Sequence, residues 1–223
     1  FYEKKPDVVL LETGMGGELD ATNLVTHPLA SVITSISMDH MQFLGNTMES
    51  IARAKAGIIK EGCPVYSAGQ NQAVKEVLAA VASEKDAPIV FADTQRDVLL
   101  EDQPGHMVFS HMLASGANVT LKTVMAGVYQ VKNAALAADV AYALLPVLLT
   151  EEKKKRVGNR KGPIEEEYRL EIIRNGMEKA RWPGRFEVIS TDPFLVMDGA
   201  HNEDAARQLA DTVENCFTNT CLT

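Results

Sequence analysis

The feature that most constrains the fold is an apolar segment that runs directly into a glycine-rich turn near the start of the chain. The segment is DVVLLE, from Asp7 to Glu12, and the turn continues it as TGMGGELDATN. Leucine and β-branched side chains without polar alternation predict a strand that is covered on both faces, as in a parallel sheet. Glu12 would end this strand, and ligands of open α/β sheets bind beyond the carboxyl ends of the strands.

After the glycine turn, predicted strands and helices alternate. A second buried strand is predicted over Leu29–Ser37, a helix capped by Thr47 over Thr47–Lys60, and an amphipathic helix over about Asn71–Ala87. The short apolar stretches CPVYSAG and PIVFA, on either side of that last helix, predict a third and a fourth strand. This alternation predicts an α/β fold with a mostly parallel sheet flanked by helices.

The character of the sequence changes after the fourth strand. Short apolar stretches separated by Pro-Gly and Ser-Gly turns predict a small antiparallel region, and the long alanine-rich helix VYQVKNAALAADVAYALLPVLL follows it. The charge-dense stretch Glu151–Glu167 predicts a solvated linker or loop. A fresh strand, turn and helix pattern begins near Trp182. We therefore predict a central domain over residues 1–181 and the start of a second α/β domain over residues 182–223.

Composition excludes several classes of protein. The chain has 223 residues, is 46% hydrophobic and carries a formal net charge of -8, which supports a globular fold and argues against a nucleic-acid-binding surface. Its cysteines, Cys63, Cys216 and Cys221, show no metal-binding spacing and suit a reducing cytoplasm. No apolar run approaches the roughly 20 residues of a membrane span, and no signal peptide is visible. We expect a cytoplasmic protein that binds neither nucleic acid nor membrane.

Polar side chains follow three of the predicted strands. They are Glu12, then Asp39 and His40 in SMDHMQFLG, and then Asp198, His201 and Asn202 in MDGAHN. A carboxylate and a neutral imidazole with few other ligands suit Mg²⁺, which keeps water or phosphate oxygens in its shell. Zn²⁺ usually takes further His or Cys ligands and is the less favoured reading. Each of these side chains also has a structural alternative, such as capping a helix or facing solvent.

Five motifs, in order along the chain, resemble those of the folylpolyglutamate synthase and dihydrofolate synthase family within the Mur ligase superfamily. They are LLETGMGGELDATN, ITSISMDHMQFLGNTMESIARAKAGIIKEG, GVYQVKNAALA, WPGRFEVI and MDGAHNEDAARQLA. The resemblance covers nearly the whole chain and implies a P-loop-NTPase-like central domain followed by a Rossmann-like domain. It also implies ATP-dependent amide formation, in which a substrate carboxylate is phosphorylated and the amino group of L-glutamate displaces the phosphate.

The resemblance implies metal-binding and catalytic roles for residues of the first two motifs. Glu12 and His40 would be ligands of Mg²⁺ at the nucleotide phosphates, and two ions are expected in all. Lys55, in RAKAGII, would be carbamylated by carbon dioxide and would then support the second ion. A surface lysine on a helix is the structural alternative for this residue.

The resemblance also implies residues that contact the substrate and the nucleotide. The residues that would border the pterin part of a folate or dihydropteroate are Leu19, Asp20 and Ala21. Asn133 would meet the adenine, Arg185 a phosphate, and Asp198 and His201 the ribose and phosphates, with His201 in the catalytic set beside Lys55. Asn133 and Asp198 could instead cap helix backbone.

Two features depart from the family pattern. Glu18 stands where many relatives have arginine, which leaves open how substrate anions are held. A phosphate loop of the type G-x-x-G-K-[ST] does not occur in the sequence. Because the chain also starts at Phe1, close to an apolar strand, we expect an internal piece of a longer protein. By itself this piece should neither ligate nor bind ATP tightly, which calorimetry with Mg-ATP would test.

Two rival functions stay open at this point. One is another Mur-type amide ligase that acts on a cell-wall nucleotide precursor, and the other is a non-catalytic module that binds a metal or a partner. The sequence also leaves open whether glutamate is added first to dihydropteroate, later to folates, or both. The expected partners are these small molecules, L-glutamate and ATP, and we expect a monomer.

Overall fold

The structure is a computed structural model that describes residues 3–38, 41–149 and 165–217. The chain forms two compact units. The first unit comprises Phe1–Phe91 and Val140–Arg169, and the second unit comprises Ala92–Asp139 and Leu170–Thr223. The predicted division between residues 181 and 182 stays a prediction. The predicted linker over Glu151–Glu167 lies outside the described residues as far as residue 164.

A three-stranded parallel sheet, in the order β1–β2–β3, is the centre of the first unit. Its strands are β1 (Ser31–Ile33), β2 (Val65–Ser67) and β3 (Ile89–Phe91). The helices that lie between them in sequence are α1 (Met41–Leu44), α2 (Met48–Ala56) and α3 (Gln72–Glu84). The α/β class and the parallel sheet are confirmed, although the strands are shorter than predicted.

Capping and apolar packing set the start and the orientation of α2. Thr47 is its N-cap, as predicted: the side chain of Thr47 accepts a hydrogen bond from the N–H of Ser50, and the hydroxyl of Ser50 accepts one from the N–H of Thr47. This reciprocal arrangement satisfies two N–H groups that have no partner within the helix. The core between helices and sheet contains Ile51, Val65 and Leu78, none of which has exposed surface.

The apolar segment Asp7–Glu12 is not a strand, so the prediction made from its composition is wrong. Every residue of the segment is exposed, and Leu10 is 90% exposed. A strand is stable only where a neighbouring strand takes up its N–H and C=O groups. Within the described part of the chain, no strand pairs with this segment. The apolar composition of the segment therefore favours a strand, but it does not determine whether a partner strand is present.

The second unit contains the predicted antiparallel region. Its three-stranded sheet has the order β4–β5–β6, and a separate hairpin is formed by two further strands. The strands are β4 (Val98–Gln103), β5 (His106–Met112), β6 (Asn118–Thr123), β7 (Glu187–Thr191) and β8 (Phe194–Met197). A short 3-10 helix, Thr94–Arg96, precedes β4. The antiparallel prediction is confirmed.

Three longer helices complete the described chain. They are α4 (Val128–Leu148), α5 (Glu166–Lys179) and α6 (Glu203–Cys216). By length and composition alone, α4 is the one described helix that could cross a membrane, and 39% of its most apolar window is buried within the protein. The expectation that no apolar run reaches this length is therefore wrong. An alanine-rich helix in a protein core meets the same criteria of length and hydropathy, because its small apolar side chains pack closely in the interior.

A fully buried histidine links β5 to two other segments of the second unit. Nδ1 of His111 lies 2.7 Å from Oδ1 of Asp97, and Nε2 lies 3.5 Å from Oδ2 of Asp139 in α4. The longer contact lacks hydrogen-bond geometry and is an ion pair only. Burial alone would lower the pKa of His111, but the close contact with Asp139 and the hydrogen bond and charge of Asp97 outweigh it and raise the pKa to about 9. The imidazole is thus a buried cation between two carboxylates.

We predict that this cluster makes the protein less stable as the pH rises above neutrality. The pKa of His111 is about 9 in the folded state and about 6.5 in an unfolded chain, so the folded state binds more protons between these values. The stabilisation is complete below about pH 6.5 and is lost as the pH rises through about 9. Denaturant unfolding should show wild type losing up to about 3 kcal/mol across this window relative to His111→Gln.

The matched control is His106→Gln in the same strand. The ring of His106 is exposed beside Glu101, at 3.0 Å, and its side chain keeps 47% of its surface in solvent. This variant should unfold with the pH dependence of wild type. Parallel pH profiles for wild type and His111→Gln would contradict the prediction.

Candidate functional site

One carboxylate, that of Asp20, organises the glycine turn. Its Oδ2 accepts hydrogen bonds from the N–H groups of Gly14 at 2.9 Å and Met15 at 3.1 Å. Its Oδ1 accepts from the hydroxyl of Thr22 at 2.6 Å and from the N–H of Thr22 at 2.8 Å. These hydrogen bonds, with that of the Thr22 hydroxyl the strongest, lower the pKa of Asp20 to about 2. The carboxylate therefore stabilises the conformation of the turn. Its contact with substrate stays a prediction.

The two other predicted substrate residues flank Asp20 and point away from the protein interior. Leu19 is 96% exposed, and Ala21 is also exposed. An apolar side chain held in solvent on a well-ordered turn is available to a flat apolar ligand. The turn thus presents Leu19 and Ala21 to solvent, while the carboxylate of Asp20 is hydrogen-bonded to the turn itself.

The turn rests against the C-terminal end of α2, where two glycines allow close approach. A Cβ added to Gly17 would lie 2.8 Å from the carbonyl oxygens of Ala54 and Lys55. A Cβ added to Gly57 would lie 2.5 Å from the backbone N and Cα of Glu18. The N–H of Glu18 also donates to the carbonyl of Ala54 at 3.4 Å. No residue with a side chain fits at Gly57 unless the turn moves.

Asn23, at the other end of the glycine turn, stabilises the contact between the turn and α2. Its Nδ2 donates to the carbonyl of Glu18 at 3.0 Å and to the carbonyl of Gly57 at 3.1 Å. Sequence reasoning did not assign a role to Asn23 or Gly57. The available signals were an amide side chain at the end of LLETGMGGELDATN, which can donate to backbone carbonyls, and a glycine in RAKAGII, which allows another segment to approach closely.

Lys55 lies in the last turn of α2, directly beside this contact. Its carbonyl oxygen faces Gly17, and its side chain is partly exposed. Within the described residues, no group forms a hydrogen bond or an ion pair with its ammonium. The structure therefore brings Lys55 next to the turn that carries Leu19, Asp20 and Ala21. Carbamylation of Lys55 stays a prediction.

Of the two predicted Mg²⁺ ligands, only Glu12 lies within the described residues. Its side chain is exposed just before the glycine turn, whereas His40 and its neighbour Asp39 lie outside the described residues. In residues 3–38, 41–149 and 165–217, no group of three or more His, Cys, Asp or Glu side chains is arranged to hold a metal. The exposed carboxylate of Glu12 fits the preference of Mg²⁺ for oxygen and few protein ligands. The pairing of Glu12 with His40 stays a prediction.

In the second unit, the carboxylate of Asp198 joins the turn before β7 to the turn after β8. Its Oδ2 accepts a 2.7 Å hydrogen bond from the N–H of Phe186, and its Oδ1 accepts a 2.8 Å hydrogen bond from the N–H of Ala200. The N–H of Gly199 donates to the carbonyl of Gly184 at 2.8 Å and links the same two turns. Asp198 is therefore the centre of a small junction between WPGRFE and MDGAHN.

The helix-capping alternative for Asp198 is not observed. The N-cap of α6 is Asn202, whose Oδ1 accepts a 2.8 Å hydrogen bond from the N–H of Ala205. Asn202 is thus the structural member of the MDGAHN motif. Asp198 stabilises the turns and has no contact with the first turn of the helix through a cap.

Arg185 and His201, both predicted to bind phosphate, lie on either side of this junction. Arg185 is exposed, and its Nη1 lies 3.9 Å from the position of a Cβ added to Gly199. His201 is exposed too, and its Nδ1 lies 2.9 Å from the carbonyl oxygen of Gly199. Because a carbonyl can only accept, Nδ1 is the donor of this hydrogen bond. The junction therefore presents a guanidinium and an imidazole to solvent.

Asn133 lies in α4, in the part of that helix that belongs to the second unit. Its side chain is exposed and its Nδ2 donates to Oε1 of Gln130 at 3.2 Å, which leaves the amide oxygen available as an acceptor. Burial and the charge of Asp198 raise the pKa of Tyr129, one helical turn earlier on the same face, to about 12. The structure thus brings Arg185, Asp198 and His201 together, and a place for Asn133 beside them stays a prediction.

Comparison with known proteins identifies relatives over most of this chain. Residues 1–141 match the family model of the Mur ligase middle domain. The chain is 37% identical to a dihydrofolate synthase/folylpolyglutamate synthase of Bacillus subtilis, over 96% of this chain and 46% of that protein. It is 31% identical to a folylpolyglutamate synthase of Lacticaseibacillus casei, over 97% of this chain and 47% of that protein. The chain therefore spans about half the length of the curated relatives it matches.

Solved structures give the same result for the fold. The S73A mutant of L. casei FPGS matches with a TM-score of 0.79 and 30% identity, over 98% of this chain and 50% of that one. An FPGS-AMPPCP-folate complex matches with a TM-score of 0.79 and 29% identity, over the same shares.

We predict that Gly57→Ala disturbs the contact between the glycine turn and α2. Gly57 has right-handed helical angles, φ -59° and ψ -16°, so alanine is compatible with its backbone and only the clash with Glu18 opposes it. Overpacking of this kind costs about 1–3 kcal/mol. Denaturant unfolding should show this loss, and amide hydrogen exchange should accelerate over residues 14–23.

The matched control is Gly176→Ala in α5, where an added Cβ meets no atom within 4 Å. This change should stabilise the protein by about 0.5–1 kcal/mol, because alanine has the higher helix propensity. Equal effects of the two substitutions would show that the turn does not depend on close approach at Gly57.

Proposed function

The chain belongs to the Mur ligase family, and on that premise we propose that the protein carrying it is an ATP-dependent ligase that joins L-glutamate to a folate or to dihydropteroate. The substrate carboxylate would be phosphorylated by ATP, and the amino group of glutamate would then displace phosphate from the acyl phosphate. We further propose that the protein acts in the cytoplasm as a monomer. Size-exclusion chromatography of the full-length protein tests the oligomeric state.

The observation that carries this proposal is the junction around Asp198. The motifs WPGRFE and MDGAHN supply Arg185, Asp198 and His201 to it, and these residue types can bind phosphates and a ribose. Asn133, from α4, would supply the adenine contact. An amide can read adenine through a donor and an acceptor, and a planar guanidinium can pair with phosphate oxygens. The complex of a structural relative with AMPPCP and folate supports ATP and folate as ligands.

The first unit would bind the pterin substrate and would supply the ligands of the metal ions. The exposed side chains of Leu19 and Ala21 would contact the pterin, while Asp20 keeps the turn in place by its four hydrogen bonds. Glu12 and His40 would hold Mg²⁺, which neutralises developing charge on the phosphates when it is bound. Lys55, as a carbamate, would supply an anion beside the turn for a second ion. Positioning of this kind accounts for most of catalysis in phosphoryl transfer.

The proposal is tested by assay of the full-length protein with Mg-ATP and L-glutamate. Dihydropteroate, a reduced folate and a muramyl nucleotide are compared as acceptors, and the product is identified by mass as the acceptor extended by glutamate. Extension of either pterin substrate supports the proposal and shows which of the two activities is present. Extension of the muramyl nucleotide alone would overturn it in favour of a cell-wall ligase, and no ATP consumption with any acceptor would favour a binding module.

The same assay tests the metal ligands. Glu12→Gln should raise the Mg²⁺ concentration needed for half-maximal rate and lower turnover by orders of magnitude, because an amide is a weaker metal ligand than a carboxylate. His40→Ala should act in the same direction. Circular dichroism should show that both variants stay folded, and near-normal kinetics in a folded variant would exclude the assignment.

We predict that Lys55→Ala loses most of the activity and that short carboxylates such as acetate partly restore it. The added carboxylate would replace the oxygens of the carbamate. Incubation of wild type with ¹³C-bicarbonate should give a carbamate carbon resonance that is missing from Lys55→Ala. This signal does not depend on turnover, so it separates carbamylation from other roles of the lysine.

The control is Lys122→Ala, which removes an exposed lysine on β6. It should keep both the carbamate resonance and full activity. Full activity in Lys55→Ala, or a carbamate resonance that persists in it, would refute the assignment.

A further inference from the structure

We propose that Glu187 is a positioning residue of the nucleotide site: its carboxylate holds the turn that carries Arg185. This inference rests on the proposed function, because Arg185 is a phosphate ligand only within it. It assigns a role to a residue of the motif WPGRFE that neither the sequence reasoning nor the family resemblance used. The contact that carries it is a 2.8 Å hydrogen bond from the N–H of Gly184 to Oε2 of Glu187.

Arg185 ends a tight turn that begins at Trp182. The N–H of Arg185 donates to the carbonyl of Trp182 at 3.3 Å, and Gly184 has φ +73°. Proline in the second position and a left-handed glycine in the third are typical of a type II turn. The hydrogen bond that closes such a turn does not involve the N–H of the glycine, so this group needs a partner from another part of the chain.

Glu187 provides this partner from the first position of β7. Its backbone is paired with Met197 of β8, and its side chain is partly buried. The carboxylate reaches back three residues to the N–H of Gly184. A hydrogen bond to a charged acceptor is stronger than one between neutral groups. The turn is therefore held at a fixed place relative to the hairpin of β7 and β8.

Two carboxylates hold the backbone on either side of Arg185. Glu187 accepts from the residue before it, and Asp198 accepts from the residue after it, where the N–H of Phe186 donates at 2.7 Å. With the N–H of Arg185 used in the turn, three consecutive N–H groups have partners within the protein. The direction in which the arginine side chain leaves the backbone is therefore determined.

The conformation of Phe186 shows that this backbone is constrained by its surroundings. Phe186 has φ +47°, a left-handed conformation that a bulky side chain rarely adopts, yet it is 1% exposed and its ring centroid lies 6.5 Å from that of Phe217. Such a conformation persists only where surrounding contacts determine it, and it is frequent at binding sites. Loss of the hydrogen bond from Gly184 would remove one of these contacts and would leave Arg185 with a wider range of positions.

The guanidinium of Arg185 remains available to a ligand. It is exposed, and among the described residues it forms neither a salt bridge nor a hydrogen bond. Glu187 and Asp198 use their carboxylates on the backbone of the turn instead. A guanidinium in this state can form two parallel hydrogen bonds to a phosphate, and its reach depends on the position of the turn that Glu187 holds.

The first experiment measures the contact without any turnover. In full-length protein labelled with ¹⁵N-glycine, hydrogen exchange of the Gly184 amide should be at least about tenfold faster in Glu187→Ala than in wild type, because a hydrogen bond to a charged group is lost. The amide of Gly199, which donates to the carbonyl of Gly184 at 2.8 Å, should also exchange faster. Gly176 lies within α5 and reports on the stability of the unit, so its exchange should not change. Unchanged exchange at Gly184, or the same acceleration at Gly176, would overturn the inference, whatever the protein catalyses.

The second experiment measures the consequence for the nucleotide in the full-length enzyme. Glu187→Ala should raise the KM for ATP about tenfold, with a smaller change in kcat. Partial unfolding would instead lower kcat by reducing the active fraction, with an unchanged KM. Because Glu187 acts through Arg185, the double variant Glu187→Ala/Arg185→Ala should be no worse than Arg185→Ala alone.

The conservative variant Glu187→Gln separates the hydrogen bond from the charge. The amide oxygen of glutamine can still accept from the N–H of Gly184, so both the exchange rate of Gly184 and the KM for ATP should stay within about threefold of wild type. A KM in Glu187→Gln as high as in Glu187→Ala would refute the positioning role, because the charge rather than the hold on the turn would then be decisive.

The matched control is Glu171→Ala, which removes an exposed carboxylate of α5 in the same unit. It should leave the KM for ATP and the exchange of Gly184 unchanged. Additive effects of Glu187→Ala and Arg185→Ala, or equal effects of Glu187→Ala and Glu171→Ala on the KM, would contradict the proposal. Absence of ATP use by wild type would instead overturn the proposed function and the nucleotide part of this inference, and the exchange of Gly184 would still decide the contact with Glu187.

Discussion

Irregular backbone must find hydrogen-bond partners, and in this protein carboxylates provide them where sheet and helix do not. Asp20 accepts from two backbone N–H groups of the glycine turn and from that of Thr22, and Asp198 accepts from N–H groups of two different turns. Asp139 does the same for Ala114 while facing the buried cation of His111. A turn held in this way has one conformation, so the exposed side chains it carries also have defined places.

The second feature that determines the candidate site is the close backbone contact between the glycine turn and the end of α2. Glycines at positions 17 and 57 let the turn lie directly on the end of α2, and Asn23 closes the contact with two hydrogen bonds. The distance between Lys55 and the turn is therefore set by backbone atoms, which move less than side chains. Lys55 and the exposed side chains of the turn therefore have a defined spacing, which a reaction controlled by positioning requires.

Several elements could be predicted because their signals are local. Thr47 caps α2 through groups three residues apart, and the alternation of strand and helix indicated the parallel sheet. The segment Asp7–Glu12 could not be judged in this way. Its composition favours a strand, but pairing depends on a neighbour that is remote in sequence, and the segment is exposed in this structure. The junction at Asp198 could not be predicted for the same reason, since one of its two backbone donors, the N–H of Phe186, lies 12 residues earlier in the chain.

The sequence by itself determined the α/β class, the order of the motifs and the membership of the Mur ligase family, because patterns of apolar residues and of reactive side chains survive without coordinates. Only the tertiary structure determines which polar groups have hydrogen-bond partners within the protein and which remain available to a ligand. The carboxylate of Asp20 accepts four hydrogen bonds from its own turn, whereas that of Asp198 accepts two and keeps acceptor capacity for a further partner. The reason is physical: a side chain has a fixed number of donors and acceptors, and only the folded chain determines which of them its neighbours use.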